Sequence, residues 1–284
     1  MSATGWLNTG DPEPLTWLRR VLVHLRLWLV TLCRPARATS PHTSVLAVMA
    51  LLGATLAAVA ATMVLVDSWA IAQARRLPAW LISVFLQISD LGLSGWFLWP
   101  IGLVLLALAA LMRPGVGRIA NLVAATIVVR LAFVFLAIGI PGLVVTIVKR
   151  LIGRARPSDL GPFYYMPFGW RPDYASLPSG HSTAAFAAAV AVGAIWQRAR
   201  PVMWIYAALI AASRICIAVH YPSDVLAGAF VGTASALAIR RWFARRRLGF
   251  ALDAAAGVRV MAGPSRRRVV RLIKKLIAVD QARR

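Results

Sequence analysis

Apolar runs long enough to cross a bilayer alternate with short, mostly basic breaks along this chain. A spanning helix needs about 20 predominantly apolar residues, and six stretches reach or approach that length. They run from about Thr43 to Trp69 and then over 95–112, 119–148, 180–197, 201–219 and 222–239. Three other stretches mix apolar residues with charge. Residues 14–33 interleave Leu, Val and Trp with Arg19, Arg20, His24 and Arg26, which fits an interfacial helix with snorkelling cations; a further span is the alternative. Residues 71–94 carry Arg75, Arg76 and Asp90 and predict an amphipathic helix along the outer face, either a packing element or a lid. In the tail, Val269, Leu272, Ile273, Leu276 and Ile277 recur at helical spacing between Arg271, Lys274 and Lys275, a basic amphipathic helix. The pattern therefore predicts an all-α fold: a polytopic membrane helical bundle of six transmembrane helices with amphipathic interfacial helices. It divides the chain into a tail and interfacial helix (1–42), a six-span domain (43–243) and a basic amphipathic tail (244–284).

Composition agrees. Hydrophobic residues make up 60% of the chain and charged ones 14%, against roughly 25% charged in soluble domains. A net charge of +23 raises the question of nucleic acid, but the cations sit in short clusters between apolar runs, where positive-inside topology puts them. No nucleic-acid partner is expected. If the first span leaves the cytoplasm, the clusters at 113–118, 198–200 and 240–247 fall inside with both termini, and Asp67, Asp90, Asp159, Asp173 and Asp224 fall outside. The tail helix would then rest on anionic lipid at the cytoplasmic face, or simply be solvated. Cys33 and Cys216 lie near opposite faces, so no disulfide is expected, and neither has metal-ligand spacing. His24 and Arg26 interrupt the first apolar segment, so no cleavable signal peptide is expected. Arg130, inside the third run, is a functional candidate by its depth or a partner within the bundle. The Ala- and Arg-rich composition hints at a bacterial source, in which the outer face is periplasmic.

One outer segment breaks the charge rule. The loop from Lys149 to Arg171 is basic and holds Phe163, Tyr164, Tyr165, Phe168 and Trp170, and an anionic ligand would explain its cations. Three sequence pieces meet at that face: Lys149 with Arg156-Pro157, then Pro178-Ser179-Gly180-His181, then Ser213-Arg214 with His220 and Asp224. Lys149, Arg156 and Arg214 suit a phosphoryl group and the charge of its transition state. Ser179 and Gly180 open a helix whose first N–H groups can meet phosphate oxygens. Pro222 suits the first helical turn, which puts Asp224 inside that turn and His220 just ahead of it. A carboxylate so placed can orient one imidazole nitrogen and leave the other to attack, and His181 remains as general acid. Taken singly, each piece has a plainer reading: a histidine at a helix end as a cap, a Ser-Gly start as a cap, a basic run as a headgroup anchor.

Together the pieces resemble the three-part signature of the type 2 phosphatidic acid phosphatase (PAP2) superfamily, K-x6-RP, PSGH and SR-x5-H-x3-D, matched at every position. The resemblance covers about residues 43–243. It implies a metal-independent phosphatase that needs no cofactor and acts on a membrane lipid phosphate or diphosphate at the outer face. In that reading His220 forms a phosphohistidine, Asp224 orients it, His181 protonates the leaving group, and Lys149, Arg156, Arg214, Ser179 and Gly180 bind phosphate. Isoprenyl diphosphate, phosphatidylglycerophosphate, phosphatidic acid and lipid A phosphates are all candidate substrates. The alternatives are a lipid phosphotransferase using the same intermediate and a non-catalytic lipid-phosphate binding or transport protein.

Overall fold

Helices α6, α7 and α9 form the centre of the molecule, and small residues on α7 and α9 set how closely they approach. The computed structural model describes residues 13–37, 44–112, 117–157, 161–253 and 257–281, with side chains from 17 to 276 within those ranges. The helices are α1 (Glu13–Leu32), α2 (Val45–Leu65), α3 (Asp67–Ala74), α4 (Ala79–Asp90), α5 (Gly95–Leu111), α6 (Arg118–Ile152), α7 (Gly180–Ile195), α8 (Arg200–Cys216), α9 (Pro222–Arg245) and α10 (Arg266–Gln281). Arg113 to Val116 and Asp159, which the charge reading used, lie outside the described residues.

Among the described residues, four helical stretches are long and apolar enough to cross a membrane: α2, the α4–α5 pair, α6 and α9. Helix α7 is apolar but only 16 residues long, and α8 has 17 residues with Arg200 and Arg214 near its ends. On α9, Gly228 and Gly232 stand one turn apart facing α7. A Cβ on Gly228 would come within 2.5 Å of the Ser179 carbonyl oxygen, and one on Gly232 within 2.3 Å of that of Thr183. This small-x-x-x-small spacing lets the backbones touch. Helix α7 is equally small, with Ala187 beside Gly232 and, on another side, Ala185 and Ala189 packed with Ala207 and Ile210 of α8.

Three local expectations are revised. The predicted helix over 71–94 is two helices, α3 and α4, separated by the turn that leads into Pro78, because proline disfavours helical backbone just before it. The first span stops at Leu65, and Val66 breaks it from α3. The fold is also not purely α-helical. An antiparallel hairpin pairs β1 (Phe250–Asp253) with β2 (Gly257–Val260), Phe250 opposite Val260. Left-handed Gly249 and Gly257 permit backbone that other residues rarely adopt.

Helix α6 is longer than its neighbours need. It runs antiparallel to α9, and the Phe133 ring meets Phe243, near the end of α9, at 5.3 Å and Phe250 at 4.7 Å. Residues 118–132 therefore continue past α9 by about 22 Å at 1.5 Å per residue. The remaining segments gather on this overhang. Leu272 and Leu276 of α10 are buried with Met112, Ala120, Val123 and Ala124, so the tail helix docks its apolar face on the bundle while Ile273 stays exposed. Arg130 donates from Nη2 to the Met261 carbonyl at 2.7 Å and from Nη1 to that of Thr126. The intrahelical arginine pairs within the fold, far from the histidines.

Gly232→Ala should lower stability by about 1–3 kcal/mol through overpacking, read as a lower thermal midpoint in detergent. Gly53→Ala, where a Cβ would meet nothing within 4 Å, should not lower it.

Candidate active site

The connection between α8 and α9 is short, and its backbone is folded back on α8. The N–H groups of Val219 and His220 both donate to the Arg214 carbonyl at 3.2 Å, and Ala218 takes a left-handed conformation at φ 51°. Pro222 then opens α9 and places Asp224 in its first turn. Asp224 Oδ2 accepts the Tyr221 N–H at 2.9 Å and the Ser176 hydroxyl at 2.5 Å. His220 Nδ1 lies 3.6 Å from that same oxygen and 3.4 Å from Ser176 Oγ. The carboxylate and the hydroxyl thus occupy the Nδ1 edge of the ring, and Nε2 is left on the other edge. Burial pulls the His220 imidazole below its ordinary pKa; Asp224 opposes this, and Arg214 and Arg156 add to it. The net result is a neutral ring with a lone pair available.

Behind Asp224 lies a cluster that the sequence reading missed. Arg154 is fully buried. Its Nη1 donates to Asp224 Oδ1 at 2.6 Å and to Ser223 Oγ at 2.7 Å, its Nη2 to Asp67 Oδ2 at 2.8 Å, and its Nε to the Pro162 carbonyl at 3.0 Å. Asp67, also fully buried, accepts from Ser223 N at 2.9 Å and from Ser223 Oγ at 2.5 Å. Burial opposes the charged guanidinium, but the two carboxylates outweigh it and raise its pKa. The loop is shaped to bring Arg154 here. Left-handed Gly153 ends α6 at a point where a Cβ would lie 1.9 Å from the Met166 carbonyl oxygen. Backbone bonds from Ala155 to Tyr164, Met166 to Gly153, Arg156 to Asp173 and Ser176 to Arg154 then fold the loop on itself.

The phosphate-binding candidates surround the histidines. Arg214, His220, Lys149 and Arg156 all act electrostatically on His181, and Arg156 acts on both Lys149 and Arg214. Ser179 N–H donates to the Asp224 carbonyl at 3.0 Å, tying the Pro178-Ser179-Gly180-His181 turn to the first turn of α9. Ser179 makes no side-chain cap bond, so the simple capping reading does not hold for it. A Cβ on Gly180 would meet nothing within 4 Å; internal packing does not demand glycine there, and the space suits a ligand approaching the first amides of α7. The Nε atoms of Arg156 and Arg214 are buried without a hydrogen-bond partner, as are those of Arg34, Arg240 and Arg246 away from the histidines. Among the described residues no group of three His, Cys, Asp or Glu is placed to hold a metal ion.

All eight predicted positions are therefore brought to one end of the bundle. The structure adds Arg154, Asp67, Ser176 and Ser223, and the turn after α4. Ser89 accepts a hydrogen bond from Arg214 Nη1, Asp90 acts on Arg214, and Gly92 abuts His181, where a Cβ would lie 3.1 Å from its Cδ2. Asp67 carried one available signal: only 9 acidic residues oppose 32 basic ones, and this one ends a long apolar run. The pKa of His220 predicts that its ring remains neutral as pH falls through the ordinary imidazole value of about 6.5. With only four histidines in the chain, NMR of protein carrying ¹³Cε1-labelled histidine should show the His220 signal, assigned from a His220→Ala sample, titrating below that value.

Comparison with known proteins places this geometry. Residues 130–248 match the family model described as the PAP2 superfamily. Lipid A 1-phosphatase of Rhizobium johnstonii is 37% identical over 124 residues, 43% of this chain and 51% of that protein. Decaprenylphosphoryl-5-phosphoribose phosphatase of Mycobacterium tuberculosis is 35% identical over 89 residues, 31% of this chain and 48% of that protein. The chain thus spans about half the length of the curated relatives it matches. The crystal structure of Aquifex aeolicus LpxE superimposes with a TM-score of 0.45 at 22% identity, covering 62% of this chain and 94% of that one. Residues 130–248, the part of this chain similar to the PAP2 superfamily, carry all eight motif positions.

Proposed function

We propose that the protein is a lipid phosphatase that hydrolyses a phosphate or diphosphate on a membrane lipid through a phosphohistidine at His220. The observation that carries this reading is the arrangement of His220, with Nδ1 against Asp224 and Ser176, and with the cations Arg156 and Arg214 acting on both it and His181. The Nε2 lone pair attacks phosphorus and forms an N–P bond while the bond from phosphorus to the leaving oxygen breaks. His181 gives its proton to that oxygen. The incoming phosphate offsets the cations around His181 and favours the protonated form that the step needs. In the second half, His181 takes a proton from water, the water oxygen attacks phosphorus, and the N–P bond breaks to release inorganic phosphate. Lys149, Arg156, Arg214 and the first amides of α7 hold the phosphoryl oxygens throughout.

The surroundings favour a substrate in the membrane. At the site end, Trp69, Trp80, Trp96, Trp99, Phe168 and Trp170 are exposed, as aromatic side chains at a membrane interface are. The two curated relatives are, by name, phosphatases of a lipid A phosphate and of a decaprenyl-linked phosphoribose, and a phosphate borne on a lipid is the class carried over here. Helices α7 and α8 would complete six spans alongside α2, α5, α6 and α9. Arg34, Arg37, Arg200 and Arg240–Arg241 cluster at the opposite end with α10. That end is the cytoplasmic one, with both termini and any anionic lipid bound by α10, and the site faces the outer, periplasmic side.

The test is phosphate release by purified protein in detergent with EDTA, from lipid A, undecaprenyl diphosphate, phosphatidylglycerophosphate, phosphatidic acid and p-nitrophenyl phosphate. Release from at least one lipid, reduced roughly a thousandfold or more in His220→Ala, is expected. Full activity in that variant refutes the mechanism. Label that passes to another lipid instead of water identifies a transferase.

A further inference from the structure

We propose that Asp67 and Arg154 are positioning residues for His220, acting through Asp224, and that the lipid-facing helix α2 is thereby tied to the catalytic centre. The proposal rests on the phosphatase reading above. None of these links belongs to the three-part motif: Arg154 is one of its unspecified positions, and Asp67 lies 82 residues before Lys149.

The first support is geometric. Arg154 spends all three of its nitrogens on fixed acceptors, and its planar fork sets Asp224 Oδ1 and Asp67 Oδ2 on neighbouring nitrogens. With Oδ1 committed to Arg154, Asp224 has Oδ2 left for Tyr221 N, Ser176 and His220. Any rotation of the Asp224 carboxylate would break the Arg154 contact, so the acceptor for Nδ1 cannot drift.

The second support is charge. One guanidinium balances one carboxylate, so Arg154 with Asp224 alone would be neutral, and a single buried pair would serve the fold. Asp67 adds a second carboxylate behind Asp224, more negative charge than Arg154 alone balances, with Arg156 and Arg75 as the further cations within electrostatic reach of the cluster. When attack through Nε2 makes the ring positive, this negative charge favours it. The groups that face His220 are Asp224 of α9, Arg214 of α8, Arg156 and Ser176 of the loop, and His181 of α7, itself under the influence of Lys149. The other charged groups there are cationic and oppose a positive ring, so the negative cluster behind Asp224 is what favours it. Helix α2 has no buried residue, yet it leads directly into fully buried Asp67. Its end is fixed by the same cluster.

Asp67→Asn keeps the shape and an acceptor for Ser223 N while removing the charge. With the lipid phosphate that wild type hydrolyses, kcat should fall roughly 10- to 100-fold and KM should change by less than about threefold. The NMR midpoint of His220 should move to lower pH. In an Asp224→Asn background, Asp67→Asn should cost less than about twofold more, because the path through Asp224 is already lost. Losses that multiply in the double variant, or an unchanged His220 midpoint, would overturn the proposal. If Asp67→Asn does not fold, as judged by its thermal midpoint, Ser223→Ala takes its place, with the same direction of change expected and a smaller size. Absence of phosphate release by wild type would refute the phosphatase reading alone; the titration decides the positioning role without any substrate.

Discussion

The Arg154 guanidinium, held between Asp224 and Asp67 with no exposure to solvent, is the contact on which the site end of this bundle depends. It joins the α2–α3 bend, the loop after α6 and the first turn of α9. A buried ion cluster is a poor source of net stability compared with apolar packing, but losing one member strands the others at high cost. Its effect is therefore specificity of arrangement. Asp224 cannot reorient, so Ser176 and His220 meet it in one geometry, and the His220 imidazole is held in one orientation. The apolar side of the same economy is the Gly228–Gly232 face of α9. It brings α7 close enough for the Ser179 amide to bond the Asp224 carbonyl.

The motif residues were legible in the sequence because their chemistry is rare in such a chain. Two histidines, a carboxylate and three cations among alanines and leucines had to be explained, and Pro222 marked the start of the helix that places Asp224. Arg154 was not legible for the opposite reason: it stands among Lys149, Arg150 and Arg156, where one more arginine reads as another headgroup contact. Its burial depends on the left-handed Gly153 turn and on a partner 87 residues earlier. Ser176 and Ser223 are common residues whose roles exist only in three dimensions. The span pattern located the long helices well, because hydrophobic length is a local property. The hairpin and the docking of α10 were missed because both depend on an overhang of α6 that only packing reveals.

That overhang separates two parts of the chain. Residues 130–248, which match the PAP2 superfamily model, contain the motif and most of the packing around it. Helix α1, the start of α6 and α10 lie outside it and assemble at the far end, where Arg130 binds the turn after the hairpin and Leu272 and Leu276 fill a second apolar cluster. The apolar face of α10, with Leu272 and Leu276, holds the bundle.

The central claim is that Asp224, fixed by Arg154, presents Nε2 of His220 to phosphorus. The most direct measurement is rapid quenching of turnover with the hydrolysed lipid phosphate, followed by mass spectrometry and isomer-resolved analysis of the phosphorylated peptide. The account predicts acid-labile phosphate on His220 at Nε2, since Nδ1 faces the carboxylate. Phosphate on Nδ1, on His181, or on no residue while turnover proceeds would contradict it.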